Sequence, residues 1–554
     1  MTLRTRLILA LAATLFLARG GIVSAADVVK PANVYGPYVV NVQDLPAADP
    51  AKTPALPPRT HLEASTQPYP IDETRDETVE ANRWPVPAPK RQASLGAAAR
   101  LSSVAPATNS ILSADATWLQ PYEPYDYIGA SNGTVVVSEA QGNLYFTDMN
   151  SVTVHAPVFI PNIHCGGAIP PPACSFPGGF ADHRLFYDKL GGRWILVSLY
   201  AFGTTYRPVP NFVAVSQTTD PTGSWNVYQI PTCGPADVTD LSDQPHVGFN
   251  KHWIAINSAC TTALGGHSLQ VLHKDTLYAA GTVTMGSTWW QFDDIITNND
   301  GRLDHPAATY TNVTRKLWLV HAQLSGTNTP QHVYSHISGS EFAPFVTWNV
   351  KSVTVAGTPV AAGTLAAANA PGCTGCLLSF LFSNVIQSAS VIDLPDGDTW
   401  HLSASVWKYP TYANSNISTF VASNLTDNTS VASNIGDQPG VGMMAAAITA
   451  PFQSGIPGAV DPVFILWASS ASNFYPGLQY YVWDVSSDTL VSGDSWPGTQ
   501  APSGCTVGSP CRWVDFVDLA APVKITVAAP AGTVLLGGPV ARTQNQTRLL
   551  VTQD

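Results

Sequence analysis

The chain has 554 residues, with 38 acidic against 26 basic side chains, 45% hydrophobic but only 12% charged content, 42 Gly and 45 Pro. The length allows two to four domains or one large all-β unit. Charged content about half the usual share, with so much Gly and Pro, excludes helix bundles, coiled coils and solvated charged tails. A net charge of −12 leaves no basic surface for a phosphate backbone, so nucleic acid is excluded as a partner.

In chain order, residues 1–25 read as a signal peptide: Arg4 and Arg6, an apolar run from Leu7 to Ala18, and a small-residue cleavage site at Val23-Ser24-Ala25. The run is too short to span a bilayer. No membrane span is expected, and the product should be secreted, extracellular or periplasmic, and monomeric. Residues 26–121 are rich in Pro and Ala, with Pro54, Pro57, Pro58, Pro68 and Pro70 interrupting every helix or central strand. This stretch reads as a disordered leader or linker.

Residues 122–554 have a different texture. Short β-branched and aromatic runs, such as 133–138, 193–198 and 212–216, alternate with Gly, Asn, Asp and Pro. That pattern predicts antiparallel strands with few helices. Asp182-His183 precedes Arg193-Trp194, Asp243-Gln-Pro-His246 precedes Trp253, and Asp304-His305 precedes Trp318. The leading aspartates are 61 residues apart twice, and Asp437-Gln-Pro-Gly-Val-Gly442 repeats the start of the second unit. Repeats of this length with about four strands each predict a β-propeller. Starts near 127, 182, 243, 304, 387 and 437 give six blades, and the last hundred residues hold enough strands for a seventh, so the expectation is all-β with six or seven blades.

The eight cysteines form four close pairs, Cys165 with Cys174, Cys233 with Cys260, Cys373 with Cys376, and Cys505 with Cys511. An even count in an exported chain suggests disulfides between near neighbours.

The string Asp182, Tyr187-Asp188, Arg193-Trp194 and Val215-Ser-Gln-Thr-Thr-Asp220-Pro-Thr-Gly-Ser-Trp225 resembles a family of uncharacterised secreted bacterial β-propeller proteins. The segment 218–225 is similar to the Asp-box hairpin of sialidase-type propellers, with its glycine displaced by one. This resemblance implies a fold and no activity.

Inner strands of a propeller line a central channel, so Asp182, His183, Asp243, His246, Asp304 and His305 are expected to converge at one mouth. Two readings follow. His183, His246 and His305 could hold one divalent metal ion, with the aspartates as partners, or the set could act as general acid and base. Alternatively, each Asp caps a turn entering a blade and the histidines follow in solvent. The corresponding functions are a carbohydrate-active hydrolase or lyase, or a non-catalytic propeller that binds a polysaccharide, cell-surface glycan or protein. Trp289-Trp290 could stack on sugar rings or pack in the core. No nucleophile elbow, zincin, phosphate-loop or dinucleotide motif is present.

Overall fold

The computed structural model describes residues 34–48, 107–114, 128–140, 142–148, 152–175, 179–202, 210–232, 242–260, 266–294, 304–309, 315–324 and 329–354, and the strands named below up to residue 553. After β1 (Tyr35–Asn41) and β2 (Ala107–Ala114), the first unit is β3 (Ile128–Ser131), β4 (Val135–Ala140), β5 (Asn143–Asp148) and β6 (Thr153–Phe159), followed by the short helix α1 (Ile160–Cys165). The second is β7 (Gly179–Asp188), β8 (Arg193–Phe202), β9 (Pro210–Ser216) and β10 (Ser224–Pro231). The third is β11 (Ser242–Phe249), β12 (Trp253–Cys260), β13 (Gly266–His273), α2 (Lys274–Tyr278) and β14 (Trp289–Asp294). The fourth is β15 (His305–Pro306), β17 (Leu317–Leu324), β18 (Pro330–Ser340) and β19 (Ala343–Thr354), with β16 (Ala308–Thr309) running parallel to strands of the units on either side.

A ribbon of β20 (Ala368–Asn369) and β21 (Leu377–Leu378) precedes the fifth unit, β22 (Val385–Asp393), β23 (Thr399–Lys408), β24 (Asn416–Asn424) and β25 (Ser430–Ser433). Then come β26 (Ala446–Ile448), β27 (Pro462–Ser470), β28 (Pro476–Asp484) and β29 (Thr489–Ser495). The last unit is β30 (Asp518–Leu519), β31 (Val523–Lys524), β32 (Gly532–Ala541) and β33 (Gln546–Gln553), with β2 paired antiparallel to β33. The protein is therefore built mainly of antiparallel β-sheet. The first strands of successive units lie side by side, β3 by β7, β7 by β11, β11 by β15, β15 by β22, β22 by β26 and β26 by β30, and β30 also lies by β3.

Alternation along each strand explains how the sheets stack. In β8, Trp194 and Leu196 join a core with Val137, Phe146 and Val158 of the first unit, while Ile195 and Val197 face Val247, Phe249 and Ile256 of the third. Period-two side chains thus bury both faces of one sheet. Trp253 and Val271 pack on Leu319 and Ile337 of the fourth unit, and Trp318 and Tyr334 pack on Val391 and Trp407 of the fifth. Each fully buried side chain of this size contributes about 1.5–3 kcal/mol, which is why the tryptophan recurs at the start of the second strand.

One expectation changes. The segment 26–121 is not wholly a leader, because β1 pairs antiparallel with β10 as the outer strand of the second unit and buries Val40. Pro37 is compatible with this edge position, where the register also shifts between Tyr35 and Tyr38. Gly36 has φ 114° and approaches the strand so closely that a Cβ there would lie 2.5 Å from the Val227 carbonyl oxygen. Trp289 is 2% exposed and packs in the core, the second of its two readings. Trp118, Tyr122 and Tyr125, aromatic residues that the sequence also offers for stacking on sugar or for packing, lie outside the described residues.

The hairpin at 218–225 behaves as a turn device. Asp220 Oδ1 accepts from the Thr222 backbone N–H at 2.9 Å and its hydroxyl at 2.8 Å, and buried Trp225 donates to the Pro221 carbonyl at 2.8 Å. The Cys165–Cys174 disulfide is formed, with Cα atoms 5.8 Å apart, and fits an extracellular protein. The other three pairs depend on residues or side chains outside the description. No helix among the described residues is long and apolar enough to cross a membrane.

Candidate functional site

Two of the three aspartates spaced 61 residues apart lie at β-bulges. The β7–β8 ladder breaks between Ala181 and Arg184, leaving Asp182 and His183 as the irregular pair, and Asp182 is held at φ 49°. The β11–β12 ladder breaks between Asp243 and His246, spanning Gln244 and Pro245. The β22–β23 ladder breaks between Ile386 and Ser388, at the start position near Gln387. In the fourth unit, Asp304 immediately precedes β15, where His305 pairs with Val320. The aspartates of the second and third units sit at bulges in the first strands of their units, where a bulge re-aims side chains.

Gly248 explains how β11 can approach the next unit. A Cβ there would lie 2.4 Å from the Pro306 carbonyl carbon and 2.7 Å from the Ala307 oxygen. Only glycine permits that backbone contact, and it is the final residue of the Asp-Gln-Pro-x-Val-Gly repeat. Two residues earlier, His246 meets His305 edge to face, with ring centroids 4.5 Å apart. The His305 Nδ1 lies 2.9 Å from the Pro306 carbonyl oxygen, to which its N–H donates. Burial, with the neighbouring His305 and Arg184 charges, holds His246 well below the ordinary imidazole range. Burial likewise lowers His305 to about 4, against the opposing effect of its backbone hydrogen bond.

Asp304 is 1% exposed and its Oδ1 lies 3.0 Å from His321 Nδ1. Its other carboxyl oxygen is buried without a hydrogen-bond partner in the protein. The Asp304 backbone carbonyl accepts from Asn257 Nδ2 at 2.8 Å, tying the loop to β12. His267 of β13 is lowered to about 4, mainly by burial and against the attraction of Asp304. Further along, His332 lies 2.7 Å from both the Ser403 and Ser405 hydroxyls, while His401 is buried edge-on to Tyr334 with neither ring nitrogen bonded.

The six residues expected to converge do so only in part. His246, Asp304 and His305 belong to one neighbourhood. His183 is directed elsewhere, with Nδ1 2.8 Å from the Ser198 hydroxyl, which also bonds His164. Asp182 is buried in its bulge, and the side chain of Asp243 lies outside the description. His183, His246 and His305 consequently do not form the expected metal triad, and no group of three suitable ligands occurs among the described residues. The physical reason is orientation. His183 turns its Nδ1 to Ser198 in the second unit, whereas His246 and His305 meet edge to face between the third and fourth.

Sequence reasoning missed His164, His267, His321, His332 and His401, which come from α1 and from second and third strands. A signal existed. A buried polar residue follows each second-strand tryptophan by three or four places, as Ser198, Asn257, His321 and Ser403.

No family model matches the chain, and no curated protein matches it. Among solved structures, Hadza microbial sialidase Hz136 aligns over 76% of this chain and 74% of its own, with 9% identity and a TM-score of 0.37. Trypanosoma rangeli sialidase in complex with 2,3-difluorosialic acid aligns over 77% of this chain but only 58% of its own, with 10% identity and a TM-score of 0.32. The extracellular domains 1–2 of Drosophila Semaphorin 1a align over 77% and 86%, with 9% identity and a TM-score of 0.36. At these scores none of the similarities transfers an activity.

Proposed function

We propose that the chain is an exported seven-bladed β-propeller that acts on carbohydrate at the inner-strand cluster, with His321 as general acid/base and Asp304 as the group that orients it. Support for seven blades comes from the succession of neighbouring first strands and from β2 completing the sheet of β33 and β32. In this reading the signal at 1–25 delivers the chain to the compartment in which Cys165 and Cys174 are oxidised.

The observation that carries the catalytic reading is the buried Asp304–His321 pair. A carboxylate accepting the Nδ1–H fixes the tautomer and leaves the Nε2 lone pair available as a base. The adjacent imidazoles of His246, His267 and His305 are kept neutral by burial. Such rings, with the Ser, Asn and Gln side chains of the inner strands, offer paired donors and acceptors suited to sugar hydroxyls. Hydrolysis would use His321 to take a proton from water and return one to the leaving oxygen. A lyase would use it to remove a proton from carbon.

The test is release of new reducing ends from a panel of neutral and acidic polysaccharides. His321→Gln should lower kcat about 10²–10⁴-fold with little change in KM, as expected for loss of an acid/base group. Wild-type protein that retains glycans without generating products would instead establish the binding reading. The full hydrogen bonding of His332 by two serines favours that alternative, because it is the pattern of a structural histidine.

A further inference from the structure

We infer that the polar end of the contact between the third and fourth units binds a primary ammonium group, so that the preferred sugar carries a free amine; the sugar part of this inference rests on the carbohydrate reading above. The two sheets meet through Trp253, Leu269 and Val271 on one side and Leu317, Leu319 and Ile337 on the other. Period-two alternation carries these same faces on to Asn257 in β12 and His321 in β17, where apolar side chains give way to polar ones. Hydrogen bonds make the contact here. Asn257 Nδ2 donates to the Asp304 carbonyl at 2.8 Å, and Asp304 Oδ1 lies 3.0 Å from His321 Nδ1. His246, the ladder partner of Asn257, meets His305 with ring centroids 4.5 Å apart.

These bonds use up donors and leave acceptors. A carbonyl or carboxylate oxygen only accepts, so an amide or neutral imidazole that donates to one presents an acceptor at its other end. Asn257 thus presents Oδ1, and His321 presents Nε2. His305, which donates from Nδ1 to the Pro306 carbonyl at 2.9 Å, also presents Nε2. A second observation points to a ligand. Asn257 Oδ1 and Asp304 Oδ2 are buried with no hydrogen-bond partner in the protein, in residues that are each 1% exposed. A buried carboxylate with an unused oxygen is costly unless a cation meets it. Arg184 does not serve, because its Nη1 donates to the His183 carbonyl in the second unit. A protonated primary amine brings one positive charge and three N–H groups, and takes its acceptors at about 2.8–3.0 Å. A metal ion would need its ligands drawn in to about 2.0–2.2 Å, and no three suitable ligands are so gathered among the described residues. A hydroxyl brings a single donor and no charge.

The experiment is calorimetric titration of the purified full chain, with the amines protonated, using four probes: methyl glucosaminide, its N-acetyl derivative, methyl glucoside and cyclohexylamine. Wild-type protein should bind the glucosaminide about ten- to a hundredfold more tightly than the N-acetyl derivative or the glucoside, the gain expected for one charge-assisted contact. Asp304→Asn should abolish that preference, and Asn257→Ala should retain only part of it. Asp304→Asn removes one of 38 acidic side chains, so a preference due to the general attraction of an acidic protein for cations would survive it and overturn the site. Thermal melts establish that each variant is folded, and the comparison of amine with N-acetyl derivative on wild type needs no variant. Equal binding of glucosaminide, N-acetyl derivative and glucoside would overturn the ammonium site while leaving the carbohydrate reading intact. Asp304-dependent binding of cyclohexylamine as tight as that of the glucosaminide would support the ammonium site and overturn its sugar partner. Failure of all four to bind at millimolar concentrations would overturn this inference, whereas polysaccharide cleavage would still report on the His321 reading.

Discussion

Protonation of His332 should couple folding stability to pH. This ring is fully buried between two serine hydroxyls, and burial lowers its value to about 3. In the unfolded chain an imidazole has an ordinary value of about 6.5. Between these values the unfolded state binds a proton that the native state refuses, so stability falls as pH falls. The native advantage is fully present above about pH 6.5 and is progressively lost down to about pH 3. From pH 7 to pH 5 the differential amounts to about 2 kcal/mol for this one residue. Urea unfolding followed by tryptophan fluorescence at both pH values would measure it, comparing wild type with His332→Gln. Whatever the variant's stability at pH 7, its further loss on going to pH 5 should be smaller by about 2 kcal/mol. Equal losses in the two proteins would refute the reasoning, since they would mean that His332 titrates alike in both states.

Three further outcomes follow from packing. Lys274 Nζ and the Tyr278 hydroxyl both reach Asp188 Oδ2, at 2.9 and 2.8 Å, in a buried link between the second and third units. Asp188→Leu or Lys274→Met alone should cost about 3–5 kcal/mol in denaturant titrations, and the double variant less than the sum; strict additivity would contradict the pair. Gly248→Ala should destabilise by about 1–3 kcal/mol or more through its clash with the Pro306 backbone, and a neutral effect on melting would show that the inner strands can separate freely. Asp220→Ala should cost about 1–2 kcal/mol by removing the acceptor of two hydrogen bonds at the 218–225 turn, measurable as a lowered urea midpoint.

Much of the sheet architecture was legible because it repeats. Trp194, Trp253, Trp318 and Trp400 mark equivalent second-strand positions, and their burial follows from sheets covered on both faces. The aspartate–histidine period was also visible, but not its meaning. A bulge shifts side-chain direction without a composition signal of its own, so spacing alone placed His183 with His246 and His305. The histidines that complete the neighbourhood lie on other strands. Their apposition depends on sheet-to-sheet contact, such as the close passage of Gly248 along Pro306, which a linear pattern does not encode. β1 was hidden for a different reason. Tyr35-Gly-Pro-Tyr-Val-Val-Asn41 contains a proline that argues against a central strand, yet an edge strand tolerates it.

The position of β1 bears on how the protein tolerates shortening. β10 has β9 on one side and β1 on the other. Beginning the chain at residue 122, where the sequence first looks like a folded domain, would strip the outer partner from β10. The bared N–H and C=O groups would form an adhesive margin. Such a shortened protein should associate margin to margin, even though every residue of the four-stranded second unit is retained.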